Sequence, residues 1–350
     1  MAEITAITMP KWGLTMTEGR VLGWLKREGD EYRAGDELLE IETSKITNVM
    51  EASEAGKLRR IVAPADANLP IGGLMAVAAP DSVTDSEIDA FVAGFVAPEP
   101  AVEDAAAEAA VAPRDIDARG KRLRVLDIGS GDAVPVLFVH GFGGDLNSWM
   151  FTQPALAGSR RAIALDLPGH GGAEKQVGAG DRASFAGAVA DAITALGVER
   201  VHLVGHSMGG AIALAVAADR PQAITSLTLI APAGLGSEIN GTFIQAYIRA
   251  GRRREAQEAL AMLVADPALI SRVMIEETLR YKRLDGVVAA LETIAGAWFV
   301  GDRQRVDLRP ALDALSTPTQ IIWGREDRII PAAHGKALAG PVPVHIVDGA

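Results

Sequence analysis

The chain has 350 residues, a formal net charge of −11, 49% hydrophobic residues and no cysteine. This length predicts two domains, and the acidic balance argues against binding to nucleic acid or to an anionic membrane surface. The lack of cysteine excludes disulfides, thiolate metal sites and a cysteine nucleophile, and no metal site is predicted. Because the sequence shows neither a secretory signal nor an apolar run that could span a bilayer, we expect a soluble cytoplasmic protein.

Residues 1–79 are predicted to form a small all-β domain. The stretches EGRVLGWLKREGD and GDELLEIET contain short or alternating apolar runs, and Gly-Asp pairs at 29–30 and 35–36 separate them. The stretch ITNVMEASEAGKLRRIVA then repeats the scheme. The domain is therefore expected to consist of two similar halves that meet near Lys45.

Residues 80–118 are predicted to be a linker. The stretch DSEIDAFVAGFV has the pattern of a short helix, whereas APEPAVEDAAAEAAVAP consists of alanine, proline and acidic residues without apolar periodicity. Such a composition cannot bury a core, so we interpret the segment as a flexible tether between two domains. The alternative is a spacer with no role in the mechanism.

Residues 119–350 show the alternation of strands and helices that is typical of an α/β domain. Continuous apolar runs bounded by Gly, Pro or Asp predict strands buried in a mostly parallel sheet. They read RLRVLDIG, VPVLFVH, RAIALDL, RVHLVGH, SLTLIAP, TQIIWG and VHIVDG. Helical patterns such as MGGAIALAVAADRP lie between them, which is the layer logic of α/β folds. Residues 236–305 interrupt the alternation with charged amphipathic stretches, and we expect them to form a helical cap.

In the first domain, a lone lysine, Lys45, stands at the tip of a predicted hairpin, between EIETS and ITNV. Gly29 and Gly56 flank it and are expected to allow tight turns with positive φ. Together with the stretch AGDELLEIETSKITNVMEA, they resemble the lipoyl domains of 2-oxoacid and acetoin dehydrogenase complexes, although the tip reads Ser-Lys-Ile instead of Asp-Lys-Ala. The resemblance implies that lipoate is attached to Lys45 by an amide bond. The alternative is an ordinary solvated lysine.

The stretch GHSMGG at 205–210 has the Gly-x-Ser-x-Gly form of a nucleophile elbow. It follows the apolar run RVHLV and opens an apolar helix, which is the strand-turn-helix setting that the motif requires. Gly205 and Gly209 supply the small neighbours of a strained turn. We therefore predict that Ser207 is a nucleophile; the alternative is a serine that caps a helix.

A glycine-rich loop, in VLFVHGFGGDLNSW at 136–149, follows another predicted strand. A backbone N–H of such a loop, together with the N–H that follows the nucleophile, can form an oxyanion hole. This pattern assigns the two donors to Phe142 and Met208, and leaves His140 the structural task of holding the loop. The alternative is a glycine-rich connection without a catalytic role.

The segment IIWGREDRIIP at 321–331 offers a carboxylate at the end of a strand. Asp327 in this position is predicted to orient a histidine and to stabilise its cation, and Glu326 is the less favoured acid. The alternative is an aspartate that caps a helix or stabilises a turn. Asp166 and His170, in the loop LDLPGHG, are interpreted as loop structure.

The elbow, the HGFGG loop and the GREDRIIP segment resemble the α/β-hydrolase superfamily across residues 119–350. In that family the order is Ser, Asp, His, and the histidine follows the last strand, here VPVHIVDGA. None of the chain's histidines stands there; they are His140, His170, His202, His206, His334 and His345. We expect the histidine and a final helix beyond Ala350, so that the sequence as given stops short. The alternative is a chain that has lost the base or uses an unusual one.

The layout as a whole resembles the dihydrolipoamide acetyltransferase components of acetoin dehydrogenase complexes. The resemblance implies transfer of an acetyl group from lipoyl-Lys45 to coenzyme A through Ser207. It also implies two partners, a thiamine-diphosphate enzyme that cleaves acetoin and a flavin-containing dihydrolipoamide dehydrogenase, and a homo-oligomeric state.

Two other functions stay open at this point. The same serine site would serve water, which would make the second domain an esterase or thioesterase fused to a lipoyl carrier. A chain without a base would be a carrier and scaffold without catalysis. The basic run Arg252-Arg253-Arg254 in the predicted cap suits the phosphates of coenzyme A, but a solvated helix face is the more common reading of such a run.

Overall fold

The computed structural model of the chain describes residues 4–10, 16, 18–42, 47–96, 112–338 and 340–350. They form two compact units, an N-terminal unit and a larger one that includes most of the chain after residue 111. Within these ranges, no helix is long and apolar enough to cross a membrane. The same ranges contain no group of three or more acidic, histidine or cysteine residues that could hold a metal ion.

The N-terminal unit consists of two four-stranded sheets with the orders β1-β8-β6-β3 and β5-β4-β2-β7. The strands are β1 Thr5–Thr8, β2 Glu18–Trp24, β3 Glu31–Tyr32, β4 Glu37–Glu42, β5 Thr47–Glu51, β6 Gly56–Ile61, β7 Asn68–Pro70 and β8 Leu74–Ala78. Each sheet takes two strands from β1–β4 and two from β5–β8, so the two halves of the sequence interleave. Leu39, Ile41 and Leu58, all fully buried, are part of the core between the sheets.

The two glycines that flank the predicted hairpin have different roles. Gly29 adopts a φ of +96°, as expected for a tight turn. Gly56 has no positive φ, so the expectation for this residue was wrong. A Cβ atom on Gly56 would lie 2.6 Å from the hydroxyl oxygen of Tyr32, which means that the residue is small because a side chain packs directly against its backbone.

A short helix, α1 at Asp85–Gly94, follows the last strand of the N-terminal unit. Thr84 and Glu87 form a capping box at its start, which satisfies two backbone N–H groups of the first turn. Ile88 is fully buried and belongs to a small apolar cluster with Leu74. The helical pattern at the start of the predicted linker is therefore a packed part of this unit.

The larger unit is built on an eight-stranded sheet with the order β18-β17-β14-β13-β11-β12-β10-β9. Its strands are β9 Arg114–Ala118, β10 Lys121–Ile128, β11 Val136–Val139, β12 Ala162–Asp166, β13 Val201–His206, β14 Ile224–Ile230, β17 Thr319–Gly324 and β18 Val344–Val347. The pairs from β12 to β18 are parallel, whereas β10 pairs antiparallel with β12 and β9. All seven predicted strands are present.

Helices cover the sheet and form the insertion between β14 and β17. After residue 112 they are α2 Thr152–Ala157, α3 Arg182–Ala195, α4 Met208–Asp219, α5 Gly241–Arg249, α6 Arg253–Leu260, α7 Arg272–Lys282, α8 Val287–Trp298, α9 Arg309–Asp313 and α10 Ala333–Lys336. A two-residue pair, β15 Phe299–Val300 and β16 Arg303–Gln304, closes the insertion. Helices α5 to α8 lie in the segment for which the sequence predicts a cap.

The strand β9 lies in the segment that the sequence analysis assigned to the linker. It pairs with β10 at the edge of the sheet, and only Ile116 and Ala118 in it are buried. A strand with two buried positions and three exposed polar ones has no apolar run to reveal it. The domain boundaries themselves, at residues 79, 118 and 350 with a cap at about 236–305, stay predictions.

Candidate active site

Ser207 stands on the turn between β13 and α4, at the carboxyl edge of the parallel strands. Its φ is +53° and its ψ is −120°, a conformation that residues with a side chain rarely adopt. Such a residue costs on the order of 1–3 kcal/mol and is tolerated where the surroundings fix it. The strained turn predicted for a nucleophile elbow is thus present at this serine.

Glycines allow the chain to close around this turn. A Cβ atom on Gly205 would lie 2.4 Å from the carbonyl oxygen of Gly209, and one on Gly209 would lie 2.3 Å from that of His140. A Cβ atom on Gly141 would lie 2.9 Å from the Cβ of Ser207. The HGFGG loop can therefore approach the serine only because these three positions lack side chains.

A cavity of about 390 Å³ opens above the serine, and Ser207, Phe142 and Asp327 all line it. Met208 is fully buried and directly follows Ser207 at the start of α4. In the part of the chain that the structure describes, no loop carbonyl accepts a hydrogen bond from the Phe142 or Met208 backbone N–H. Neither amide is thus engaged by a loop carbonyl, which is a condition for the predicted oxyanion hole.

The two candidate acids differ in what they already hold. Asp327 accepts hydrogen bonds from the N–H groups of Ile329 at 2.8 Å and Ile330 at 2.9 Å, both on Oδ1. Its Oδ2 accepts none from the described residues. Glu326 instead accepts from the N–H groups of Gly349 at 2.9 Å and Ala350 at 3.3 Å through Oε2. Asp327 therefore keeps an oxygen for an imidazole N–H, while Glu326 anchors the end of β18.

Several histidines have partners away from the serine. Nδ1 of His202 lies 2.7 Å from the Ser226 hydroxyl, and Nε2 of His334 lies 2.7 Å from a Glu238 carboxylate oxygen. His345 is exposed on β18. None of these three histidines lines the cavity at Ser207.

His140 links the glycine-rich loop to the next strand. Its Nε2 accepts a hydrogen bond from the Leu167 N–H at 3.0 Å, so its Nδ1 carries the proton and donates to the Gly141 carbonyl at 2.8 Å. Burial lowers the pKa of His140 to about 4, which keeps the ring neutral at neutral pH.

His206 lies closer to the chemistry than the sequence suggested. It was set aside because it does not stand after the last strand, where the family carries its histidine. In the structure His206 lines the same cavity as Ser207, and burial lowers the pKa of its ring despite the opposing charge of Asp327. A Cβ atom on Gly141 would lie 3.2 Å from Nδ1 of His206, so the ring packs beside a loop that is distant in sequence, and no local pattern reveals such a contact. Among the described residues, however, no histidine is hydrogen-bonded to Ser207.

Two tyrosines on the cap helices hold the loops at the edge of the sheet. Tyr247 on α5 donates a hydrogen bond to the Gly143 carbonyl at 2.7 Å, and Tyr281 on α7 donates one to the Gly169 carbonyl at 2.6 Å. Gly143 has a φ of +73°, and a Cβ on it would lie 2.5 Å from the Tyr247 ring. The sequence analysis missed both tyrosines because nothing local connects a cap helix to a loop more than a hundred residues away.

Asp166 and His170 lie in the second of these loops and are fully buried or nearly so. Asp166 accepts hydrogen bonds from the Leu146 and Gly172 N–H groups, and burial raises its pKa to about 7. Nδ1 of His170 lies 3.0 Å from the Pro168 carbonyl oxygen. Both side chains thus bind loop backbone, in agreement with their interpretation as loop structure.

Lys45 lies outside the described residues. The strands on either side of it, β4 and β5, pair antiparallel with Glu42 opposite Thr47. This register leaves residues 43–46 to connect the two strands, which is the position that the hairpin-tip prediction requires. The surrounding fold therefore fits a lysine that carries a prosthetic group.

Comparison with known proteins identifies a fold for each unit. Residues 134–343 match the family model described as "alpha/beta hydrolase fold", and residues 5–77 match the biotin and lipoyl model described as "Biotin-requiring enzyme". The predicted fold class, a small β domain of lipoyl type followed by an α/β-hydrolase domain, is confirmed by these matches.

Two curated relatives resemble the chain over nearly its whole length. The dihydrolipoyllysine-residue acetyltransferase component of the acetoin cleaving system of Pseudomonas putida is 47% identical over 336 residues, which is 96% of this chain and 90% of that protein. The protein of the same name from Cupriavidus necator is 43% identical over 334 residues, which is 95% of this chain and 88% of that protein. The likeness therefore includes both units.

A solved structure shares the fold of the larger unit. A meta-cleavage product hydrolase from Pseudomonas fluorescens matches with a TM-score of 0.60 and 23% sequence identity, over 67% of this chain and 89% of that one. At this identity the likeness shows the fold alone.

Proposed function

The chain belongs to the family of dihydrolipoyllysine-residue acetyltransferase components of acetoin cleaving systems, and we propose that it moves an acetyl group from S-acetyldihydrolipoyl-lysine to coenzyme A through Ser207. One observation carries the assignment of the site. Ser207, Phe142 and Asp327 come from three separate loops and line one cavity, in a chain whose relatives of this name match both units.

In this proposal the acetyl donor is a lipoate attached to Lys45. Bound there, lipoate supplies a dithiol that carries the acetyl group as a thioester. The support is the lipoyl-type fold of residues 5–77 and the register of β4 and β5, which leaves Lys45 in their connection. A thiamine-diphosphate enzyme that cleaves acetoin would supply the acetyl group, and a flavin-containing dihydrolipoamide dehydrogenase would return the dithiol to the disulfide.

In the first half-reaction, the Ser207 oxygen attacks the carbonyl carbon of the donor thioester. The hydroxyl proton goes to the general base, and the negative charge on the carbonyl oxygen is stabilised by the Phe142 and Met208 amides. The C–S bond then breaks, the leaving sulfur takes the proton from the base, and an acetyl ester remains on Ser207. Two unengaged amides beside a strained serine support this step.

The base in this proposal is a histidine oriented by Asp327, the role that the Ser-Asp-His order of the fold assigns to it. Ala350 lines the cavity, and its backbone carbonyl accepts a hydrogen bond from the Glu326 N–H at 3.1 Å. Ala350 thus lies next to the two acids, and Oδ2 of Asp327 is unengaged among the described residues. An imidazole held by this oxygen would have the tautomer and orientation that a general base needs.

In the second half-reaction, the coenzyme A thiol loses its proton to the base and its sulfur attacks the acetyl ester. The ester C–O bond breaks, the serine oxygen recovers the proton, and acetyl-coenzyme A leaves. Water in place of the thiol would give acetate by the same sequence of bonds, so the acceptor distinguishes a transferase from a hydrolase.

The proposal is tested by supplying S-acetyldihydrolipoamide to the full chain with and without coenzyme A and measuring acetyl-coenzyme A and free acetate. We expect acetyl-coenzyme A that depends on coenzyme A, and a loss of at least roughly a thousandfold in Ser207→Ala, since removal of a nucleophile leaves only binding and oxyanion stabilisation. Acetate formed at the same rate with and without coenzyme A would show a hydrolase instead.

A further inference from the structure

A second cavity of the larger unit, a groove of about 730 Å³, runs between α5 and α8. Five of its thirteen lining residues are glycine or alanine, among them Gly241, Ala246, Ala295 and Gly296. A groove of this volume is large enough for a small-molecule ligand. The mechanism described above does not use it.

This groove and the cavity at the serine share a wall. Ile244 on α5 and Phe299 after α8 line both spaces and are themselves nearly fully buried. The Phe299 ring also packs edge-on against the ring of Phe142, with 6.1 Å between their centroids. Two apolar side chains therefore separate the groove from the carbonyl-binding side of the active site.

The groove carries opposite charges at the two ends of α5. At the amino end, Asp302 accepts a hydrogen bond from the Gly241 N–H at 3.0 Å. At the carboxyl end Arg249 lines the groove, whereas Arg252, three residues further along the chain, is not part of the lining. Glu292 on α8 is the other acid of the lining. Arg254 is paired with Glu258 at 2.8 Å.

We propose that this groove binds the phosphopantetheine arm of coenzyme A, with its phosphates at Arg249 and its thiol at the Ile244–Phe299 wall. The inference rests on the proposed function for the identity of the acceptor. Guanidinium groups are suited to phosphate oxygens, and Thr242 and Gln245 along the groove offer hydrogen-bonding partners for the amides of the arm. The lipoyl-lysine donor has no phosphate and would have no use for the arginine end.

The shared wall gives this arrangement a chemical consequence. While the wall is closed, Ile244 and Phe299 keep the groove and its water apart from the acetyl ester on Ser207. A thiol that arrives along the groove displaces these side chains from one side, at the ring that packs on Phe142. The acceptor would thus reach the acetyl ester by a route separate from the cavity that contains Ser207.

The groove can be filled without disturbing the fold. A Cβ atom on Gly296 would have no atom within 4 Å, and the residue is exposed in α8, so a phenylalanine there would extend into the groove. Gly187 in α3 is a matched control, because a Cβ on it is equally unobstructed and it does not line the groove. Both variants remove a helical glycine, so their effects on helix stability are comparable.

Titration of the full chain with coenzyme A by calorimetry tests the proposal. We expect Gly296→Phe to weaken coenzyme A binding by tenfold or more and Gly187→Phe to leave it unchanged, with thermal unfolding midpoints as the check on folding. Arg249→Ala should weaken coenzyme A roughly tenfold, as expected for one lost charged hydrogen bond, and should leave pantetheine, which lacks phosphates, unaffected.

Binding needs no turnover, so this test and the test of the proposed function can fail separately. Coenzyme A affinity that is the same in Gly296→Phe and Arg249→Ala as in the unaltered chain would overturn the groove, even if acetyl-coenzyme A is formed. No measurable binding to the unaltered chain would overturn it as well. A chain that binds coenzyme A in the expected pattern but releases only acetate would retain the groove and refute the transferase.

Discussion

In the N-terminal unit the proposed chemistry depends on one residue, Lys45, in the connection between two strands. In the larger unit the site is assembled from loops that follow β11, β13 and β17, and the cap helices hold those loops in place. The first unit needs its fold only to present a side chain. The second needs its fold to bring several groups into one cavity, so its function should be sensitive to contacts far from the reacting atoms.

The largest expected effect is the complete loss of an activity that needs both units, while an activity of the larger unit alone is kept. Lys45→Arg keeps the charge but removes the amine to which lipoate is proposed to be attached, so the chain should lose all transfer from its own lipoyl arm. Turnover of free S-acetyldihydrolipoamide should be unchanged, because Ser207 is untouched. Lys57→Arg, a lysine of the same unit that pairs with Asp81, is the control and should lose neither activity. If Lys45→Arg still became lipoylated, the attachment site would be wrong.

The next effect distinguishes the two neighbouring acids. Asp327→Asn should lower kcat by roughly a thousandfold or more, because an amide cannot hold the base in its productive tautomer or stabilise its cation. Glu326→Gln should lower it only slightly, since an amide oxygen can still accept a hydrogen bond from Gly349. Steady-state kinetics of both variants provide the measurement. A larger loss in Glu326→Gln would reverse the assignment of the acid.

A smaller effect should come from the cap. Tyr247→Phe removes the hydrogen bond to Gly143 but keeps the ring, so the loop that carries the Phe142 amide is held less firmly. We expect kcat to fall roughly five- to tenfold with little change in KM, the size of one hydrogen bond realised in the transition state. Tyr281→Phe loses an equivalent bond to Gly169, away from the oxyanion, and should keep its kcat. Equal losses in both variants would indicate a general loosening of the cap.

The smallest effect is on the free energy of unfolding at acidic pH. Burial lowers the pKa of His170 to about 3, so at moderately acidic pH the unfolded chain binds a proton that the folded chain excludes. Stability is therefore lost as the pH falls below about 6.5, by about 2 kcal/mol at pH 5. His140 acts in the same direction, while the raised pKa of Asp166 opposes it.

Denaturant unfolding at about pH 7.5 and pH 5 measures this contribution. The stability difference between the two pH values should shrink by about 2 kcal/mol in His170→Asn, since the excluded proton is gone. His345→Asn, at an exposed histidine, serves as the control and should keep the difference of the unaltered chain. A difference that is unaffected by His170→Asn would show that this ring does not resist protonation.

The same contrast explains what could be predicted from the sequence. Lys45 and Ser207 stand in local patterns, a strand-flanked tip and a strand-turn-helix glycine motif. The residues that identify each of them are therefore its neighbours in the sequence. Tyr247 and His206 could not be found in this way. The first acts on a loop that is distant in sequence, and the second packs beside Gly141 of the same distant loop.

The prediction of the fold from the sequence has similar limits. The seven apolar runs are all strands of the larger unit, although only β11 and β12 are buried at every position. The edge strand β9 was missed because its exposed face is polar. At Gly56 the sequence predicted a glycine-dependent turn, but the reason for glycine is the ring of Tyr32 against its backbone. Close packing of this kind has no signal in the sequence of either residue.

The most direct measurement of the central claim is a single turnover with the chain as its own donor. The chain is lipoylated, its lipoyl arm is acetylated, coenzyme A is added, and the acetyl group is followed by mass spectrometry of protein and product. We predict that the acetyl group leaves the protein as acetyl-coenzyme A, and that it stays on the lipoyl arm in Ser207→Ala. Release as acetate, or transfer to coenzyme A at the same rate in Ser207→Ala, would contradict an acetyl transfer through this serine.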